Sequence, residues 1–198
     1  LEVSRAAAIE KLKLDPAKKT ILVSGGSRGA RSINDAMALV ETSLAGRSDV
    51  QVIHITGDTG YEKFVRQVEK NVLISDNIKV FRYMHDMPLA LAATDLAVFR
   101  AGAIGLAELM ARGIPSILVP YPYATANHQE HNARAVEAAG AAVVILDKEL
   151  TGENLLKQIE SLLADESRLQ KMKDAAKALG RPEAAEDIAR KVLALLKK

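Results

Sequence analysis

The sequence predicts an α/β fold: a doubly wound, Rossmann-like sheet of six parallel strands in the order 3-2-1-4-5-6, with helices on both faces. Three observations carry that prediction. Short β-branched runs alternate with longer helical stretches along most of the chain, the rhythm of repeated strand–helix crossovers. The first such run, Thr20-Ile21-Leu22-Val23-Ser24, is apolar at its centre without alternation, as a strand covered on both faces must be. Apolar residues make up 48% of the 198 positions and aromatics only 4%, so a core is available that is built from Ala, Val, Ile and Leu.

Residues 2–12 read as a short amphipathic helix leading in, and Asp15-Pro16 as the turn before the sheet. Thr20 to Ser24 is the first strand and 31–45 the helix that follows. Gln51 to Thr56 is the second strand, with a helix from Tyr61 to Glu69; Ile78 to Arg82 is the third, with a short helix from Asp86 to Ala92. Asp95 to Phe99 is the fourth strand. Its helix, Ala103 to Arg112, ends at Gly113, a residue tolerant of the left-handed conformation at a helix end. Ser116 to Val119 is the fifth strand, and a long polar loop leads from it to a helix over Gln129 to Ala139. Ala142 to Leu146 is the sixth. The tail is helical over 151–163, 166–179 and 183–197, so that 1–198 is expected to be one domain with 151–198 as a helical extension.

Several function classes lose ground on composition. Lys and Arg number 27 against 25 Asp and Glu, a net charge of +2, which gives no field suited to nucleic acid. The absence of cysteine removes disulfides, thiolate metal sites and cysteine nucleophiles, and fits a reducing, cytoplasmic setting. No apolar run reaches the roughly 18 residues that span a bilayer, and no signal-peptide pattern opens the sequence. A first residue of Leu rather than Met is expected of a fragment or a processed chain.

The predicted order makes strands 1 and 4 neighbours where the winding reverses, and ligands bind outside the carboxyl ends of the strands at such a point. Both loops leaving those strands are marked by glycine. The first is Ser24-Gly25-Gly26-Ser27-Arg28-Gly29-Ala30, whose glycines allow a tight turn and close approach, and whose helix start favours an anion. The second is Arg100-Ala101-Gly102-Ala103-Ile104-Gly105, followed in its helix by Glu108, a carboxylate able to accept two hydrogen bonds from ribose hydroxyls. Both loops are expected to need their glycines for the turn as well as for a ligand. Neither matches Gly-x-Gly-x-x-Gly or a Walker loop. A routine strand-to-helix turn and a solvated Glu108 satisfy the same residues. The loop after strand 5, Pro120 to Asn132, offers Asn127, His128 and Gln129 as neutral partners for sugar hydroxyls. His128, Glu130 and His131 lack the spacing of a helical zinc pair, and no metal or other cofactor is expected. His54 and His85 read as ordinary strand-end or turn residues.

In combination, Gly25-Gly26-Ser27-x-Gly29-Ala30, Arg100-Ala101-Gly102-Ala103 with Glu108, and Pro120-Tyr121-Pro122-Tyr123 with His128-Gln129 and Asn132-Ala133 resemble the MurG glycosyltransferases of the GT-B class. The resemblance covers nearly the whole chain but only the carboxyl-terminal, donor-binding half of that two-domain family. It implies a domain that binds UDP-N-acetylglucosamine for peptidoglycan synthesis at the cytoplasmic face of the inner membrane, with the acceptor site and base in an amino-terminal half, so that this chain alone is not expected to transfer sugar. Gly25, Gly26, Ser27 and their loop amides would face the donor phosphates. Gly102, Ala103 and Ile104 would present amides to the diphosphate or sugar, and Glu108 would hold the ribose. The Met84 backbone would read uracil, and His128 and Gln129 would contact the hexosamine. Arg5 would correspond to an interdomain arginine. No catalytic residue is expected within the chain.

The sequence departs from the family at Phe99, where a small residue is usual, at Gly105, which replaces a threonine, at Ala126, where an acid is common, and at Leu1-Glu2-Val3-Ser4. Those departures support a second reading of another class, an engineered scaffold with a reshaped crevice. The terminal helix carries Ile188, Val192, Leu193, Leu195 and Leu196 on one stripe, which leaves a homodimer open.

Overall fold

The computed structural model describes residues 3–68 and 70–195. Six parallel strands, β1 (Lys19–Ser24), β2 (Val50–Ile55), β3 (Ile78–Phe81), β4 (Leu96–Phe99), β5 (Ser116–Leu118) and β6 (Ala142–Val144), form one sheet in the order β3-β2-β1-β4-β5-β6. This is the order the sequence predicts. β1 pairs with β2 on one side and β4 on the other, and Ser24 lies level with both Ile55 and Phe99. The three strands therefore leave the sheet together at its carboxyl end.

Successive strand residues face opposite sides. Ile21, Val23, Val52, Leu96 and Val98 meet Ile33, Met37 and Val40 of α2 (Arg31–Leu44) and Leu155, Ile159 and Leu162 of α8 (Gly152–Ala164). On the other face Leu22, Ile53, Ala97 and Leu118 pack with α1 (Arg5–Lys11), α5 (Met87–Ala93), α6 (Ala103–Arg112) and α7 (His128–Ala138). Burial on both faces is why the strands carry no polar alternation. α9 (Glu166–Leu179) joins the layers, with Leu169 and Met172 in the first cluster and Ala176 in the second. Gly113 caps α6 at φ +66°, as its position predicts.

The first helix, expected over residues 2–12, starts at Arg5 with Ser4 as its cap, and Leu1 and Glu2 lie outside the described residues; beyond this and one-residue shifts at element ends, the structure differs from the sequence reading in four places. The helix expected from Tyr61 to Glu69 ends sooner. α3 is Tyr61–Gln67, Val68 turns to extended backbone and is buried in the same core as Phe64, and α4 (Lys70–Leu73) follows; Glu69 lies outside the described residues. β6 stops at Val144 because β5, its partner, ends at Leu118, and Asp147–Glu149 winds into a 3₁₀ turn. A 3₁₀ turn over Thr125–Asn127 precedes α7, which starts at His128. The last helix, α10, is Ala184–Leu195, and the expected residues Leu196 and Lys197 lie outside the described residues. Among the described residues no helix is long and apolar enough to cross a membrane.

Candidate functional site

β1 and β4 end side by side, and an open crevice of about 1480 Å³ lies outside their carboxyl ends. Gly25, Gly26 and Ser27 form one wall, and Gly102, Ala103, Ile104 and Glu108 the other. Met84 enters from the loop after β3, Gln129 from the first turn of α7, and Phe99 and Arg100 from the end of β4. Every predicted site residue but one thus lines the same space. The exception is His128, which is exposed and turns Nδ1 to the Thr125 carbonyl 2.9 Å away, making that nitrogen the donor.

The first wall is a compact turn. Gly26 and Gly29 have φ of +88° and +77°, and the Gly29 N–H donates to the Gly26 carbonyl at 2.9 Å. The second wall is more direct: Gly102 is itself the residue before α6, at φ −70° and ψ 145°. α2 begins after Ala30 and α6 after Gly102, and neither start has a side-chain cap. The first-turn amides of a helix have no partner within it, and together with the helix dipole they favour an anion. Two such starts border one crevice. Glu108 lies in the second turn of α6 and has no hydrogen-bond partner among the described residues; partial burial raises its carboxyl above the usual glutamate range.

Beneath them Arg100 fastens four segments. Its Nη1 donates to the carbonyls of Val119 and Pro120 at 3.1 Å and to Asp147 Oδ1 at 2.5 Å, and its Nη2 to Ser32 Oγ at 2.9 Å. Ser32 closes the ring by donating to Asp147 at 2.6 Å. Tyr121 lies under the guanidinium at 5.6 Å and stands edge-on to Tyr123. Gln129 is oriented by the Tyr121 N–H, which donates to its Oε1 at 3.0 Å.

Three further expectations meet the geometry. Arg5 ion-pairs with Asp95 at 2.7 Å just before β4 begins, at the end of the sheet away from the crevice. Phe99 and Gly105, the two departures from the family pattern, are neighbours: a Cβ at 105 would lie 3.5 Å from the Phe99 ring, so the large residue fills the space the small one leaves. Ala126 sits in the 3₁₀ turn outside the crevice. Among the described residues no three His, Asp or Glu side chains gather closely enough to hold a metal ion.

Parallel sheet, reversed winding and paired helix starts define a doubly wound α/β domain of the GT-B kind, and the family comparison is specific. Residues 20–188 match the glycosyltransferase family 28 C-terminal domain, and the chain belongs to that family. It is 47% identical over 191 residues to the UDP-N-acetylglucosamine–N-acetylmuramyl-(pentapeptide) pyrophosphoryl-undecaprenol N-acetylglucosamine transferase of Desulforamulus reducens, covering 95% of this chain and 51% of that protein. Against the transferase of the same name from Desulfitobacterium hafniense it is 50% identical over 188 residues, covering 94% and 51%. The chain thus spans about half the length of the curated relatives it matches. The crystal structure of Acinetobacter baumannii MurG shares the fold, with a TM-score of 0.77 and 24% identity over 96% of this chain and 53% of that one.

The sequence reading missed Ser32 and Asp147 and saw Arg100 only as part of a motif. Asp147 follows the last strand and reaches the crevice through a turn that no periodicity marks. The signal for Arg100 was available, since a cation directly after the buried strand Leu96–Phe99 needs an acceptor within the fold.

Proposed function

We propose that this chain binds UDP-N-acetylglucosamine, as the donor domain of a hexosyltransferase of peptidoglycan synthesis. One observation carries the reading: two uncapped helix starts border one crevice, with Glu108 one turn into the second, in a chain whose relatives bear that donor in their name. The amides of Gly25, Gly26 and Ser27, with the Ser27 hydroxyl, hold the diphosphate from one side. Those of Ala103 and Ile104, behind Gly102, hold it from the other. Glu108 accepts from the ribose hydroxyls, the Met84 backbone reads uracil, and Gln129 and His128 meet the hexosamine.

In the reaction an acceptor hydroxyl oxygen attacks the anomeric carbon, the bond to the diphosphate oxygen breaks, and the hydroxyl proton passes to a base. This domain stabilises the charge that grows on the leaving diphosphate. Acceptor and base belong to the other half, so the chain alone binds but does not transfer. In this reading it works in the cytoplasm, at the inner face of the membrane. The exposed stripe of α10, with Ile188 63% and Leu195 72% exposed, is covered by that other half or by a second copy. A concentration-dependent dimer in sedimentation supports the second copy, and a strict monomer refutes it.

The test is calorimetric titration with UDP and UDP-N-acetylglucosamine. Saturable binding of both is expected, and binding of neither refutes the proposal. The packing of Phe99 over Gly105 favours one alternative, a reshaped scaffold that has lost its native donor. That alternative predicts no binding until Phe99→Ser and Gly105→Thr are made together.

A further inference from the structure

Under the phosphate-facing loop the core contains a polar chain. Glu41 of α2 and His54 of β2 are both fully buried, and Glu41 Oε1 lies 2.7 Å from His54 Nδ1. His54 Nε2 lies 3.1 Å from Asn34 Oδ1, and Asn34 Nδ2 donates to the Thr56 carbonyl at 2.9 Å. Phe64 closes the pocket, its ring edge-on to the imidazole at 4.6 Å. Glu41 Oε2 is buried without a partner. An incompletely satisfied polar chain among Val, Ile and Met is costly, and apolar residues of similar size at 41 and 54 would be at least as stable. Stability therefore does not account for it.

Its far end does. The Thr56 carbonyl is the atom against which Gly29 rests: a Cβ at Gly29 would come within 2.0 Å of it, and one at Gly57 within 2.3 Å of the Gly29 nitrogen. Thr59 adds a hydrogen bond to the Arg28 carbonyl at 3.0 Å. The loop after β2 is thus the bed on which the loop after β1 lies. Because the amide nitrogen of Asn34 must face a carbonyl, its oxygen faces His54, and Nε2 must carry a proton. Whether the proton between Nδ1 and Glu41 sits on nitrogen or oxygen, Nε2 keeps its own.

We propose that His54 is a positioning residue for the phosphate-facing loop: its Nε2–H holds the Asn34 carboxamide turned so that Nδ2 grips the Thr56 carbonyl on which Gly29 rests, and Glu41 fixes the imidazole in that role. The inference rests on the donor-site reading above.

The test compares Glu41→Leu/His54→Leu with Glu41→Leu/His54→Gln, which restores only a donor in place of Nε2. UDP is measured by calorimetry and uridine, which lacks the phosphates, by ligand-observed NMR. The Leu/Leu chain is expected to bind UDP about tenfold more weakly, the cost of one positioned hydrogen-bond contact, with uridine binding unchanged. The Leu/Gln chain is expected to recover UDP binding to within about twofold of the parent. Unchanged UDP binding in Leu/Leu, a parallel loss of uridine, or no recovery with Gln overturns the positioning role alone. A parent chain that binds no UDP overturns the donor-site reading first and this role with it. Should Leu/Leu not fold, the ¹⁵N spectrum of the parent imidazole decides: a protonated Nε2 supports the role, and a bare Nε2 overturns it.

Discussion

The two glycine loops that border the crevice look alike in sequence and are built on different grounds. In the loop after β1, Gly29 is left-handed and lies against the backbone of Thr56, where no Cβ fits. Glycine there is a condition of folding. In the loop after β4, Gly102 has ordinary extended backbone, and a Cβ at that position would meet nothing within 4 Å. The sequence reading gave Gly102 a part in the turn as well as in ligand approach, and the geometry removes the first part. What remains is clearance in front of a helix start. One loop uses glycine to be rigid and the other to be bare.

The hardest test of this contrast is Gly29→Ala, which adds left-handed strain to a clash with backbone. A loss of about 3 kcal/mol or more in denaturant unfolding is expected, and a near-neutral result would mean that the two loops do not interlock. Glu108→Ala follows: UDP binding is expected to weaken by about 1–3 kcal/mol, with unfolding free energy nearly unchanged because alanine suits a helix. The raised Glu108 carboxyl also gives a sign for pH. Binding should fall as acidification protonates it, beginning above the usual glutamate range, and that step should vanish in Glu108→Gln. Ser27→Ala should weaken UDP binding by about 1 kcal/mol and leave folding alone. The smallest effect is the sharpest discriminator. Gly102→Ser supplies a better helix cap and should raise stability by about 0.3 kcal/mol, while its hydroxyl occupies an amide that, on the donor reading, the diphosphate needs. A destabilised Gly102→Ser would return that glycine to the turn.

Strand order and both walls were legible in the sequence because each rests on a pattern along the chain: unalternated apolar runs, strand–helix alternation, glycine before a helix. What escaped was tertiary. α4 and the turn at Asp147–Glu149 are too short to show a period, and Val68 leaves its helix to bury a side chain. His54 read as a strand-end residue, whereas it lies inside β2, fully buried. A sign of it was present. Ile33, Met37, Val40 and Leu44 mark the buried stripe of α2, and Glu41 falls on that stripe, where a carboxylate needs a partner.

Arg100 has a consequence for how a ligand arrives. Three guanidinium groups border the crevice, but Arg100 is answered by Asp147 and Arg31 by Asp35, which it shares with Lys63, leaving Arg28 without an ion pair among the described residues. On the donor reading, an anion is held chiefly on contact, by amides whose pull fades within a few ångströms. Added salt, which shortens the reach of free charges from about 30 Å at 0.01 M to about 3 Å at 1 M, has Arg28 and the two helix starts to screen, and the paired Arg100 much less. On the donor reading, UDP binding should therefore fall with added salt by less than three free guanidinium groups would imply.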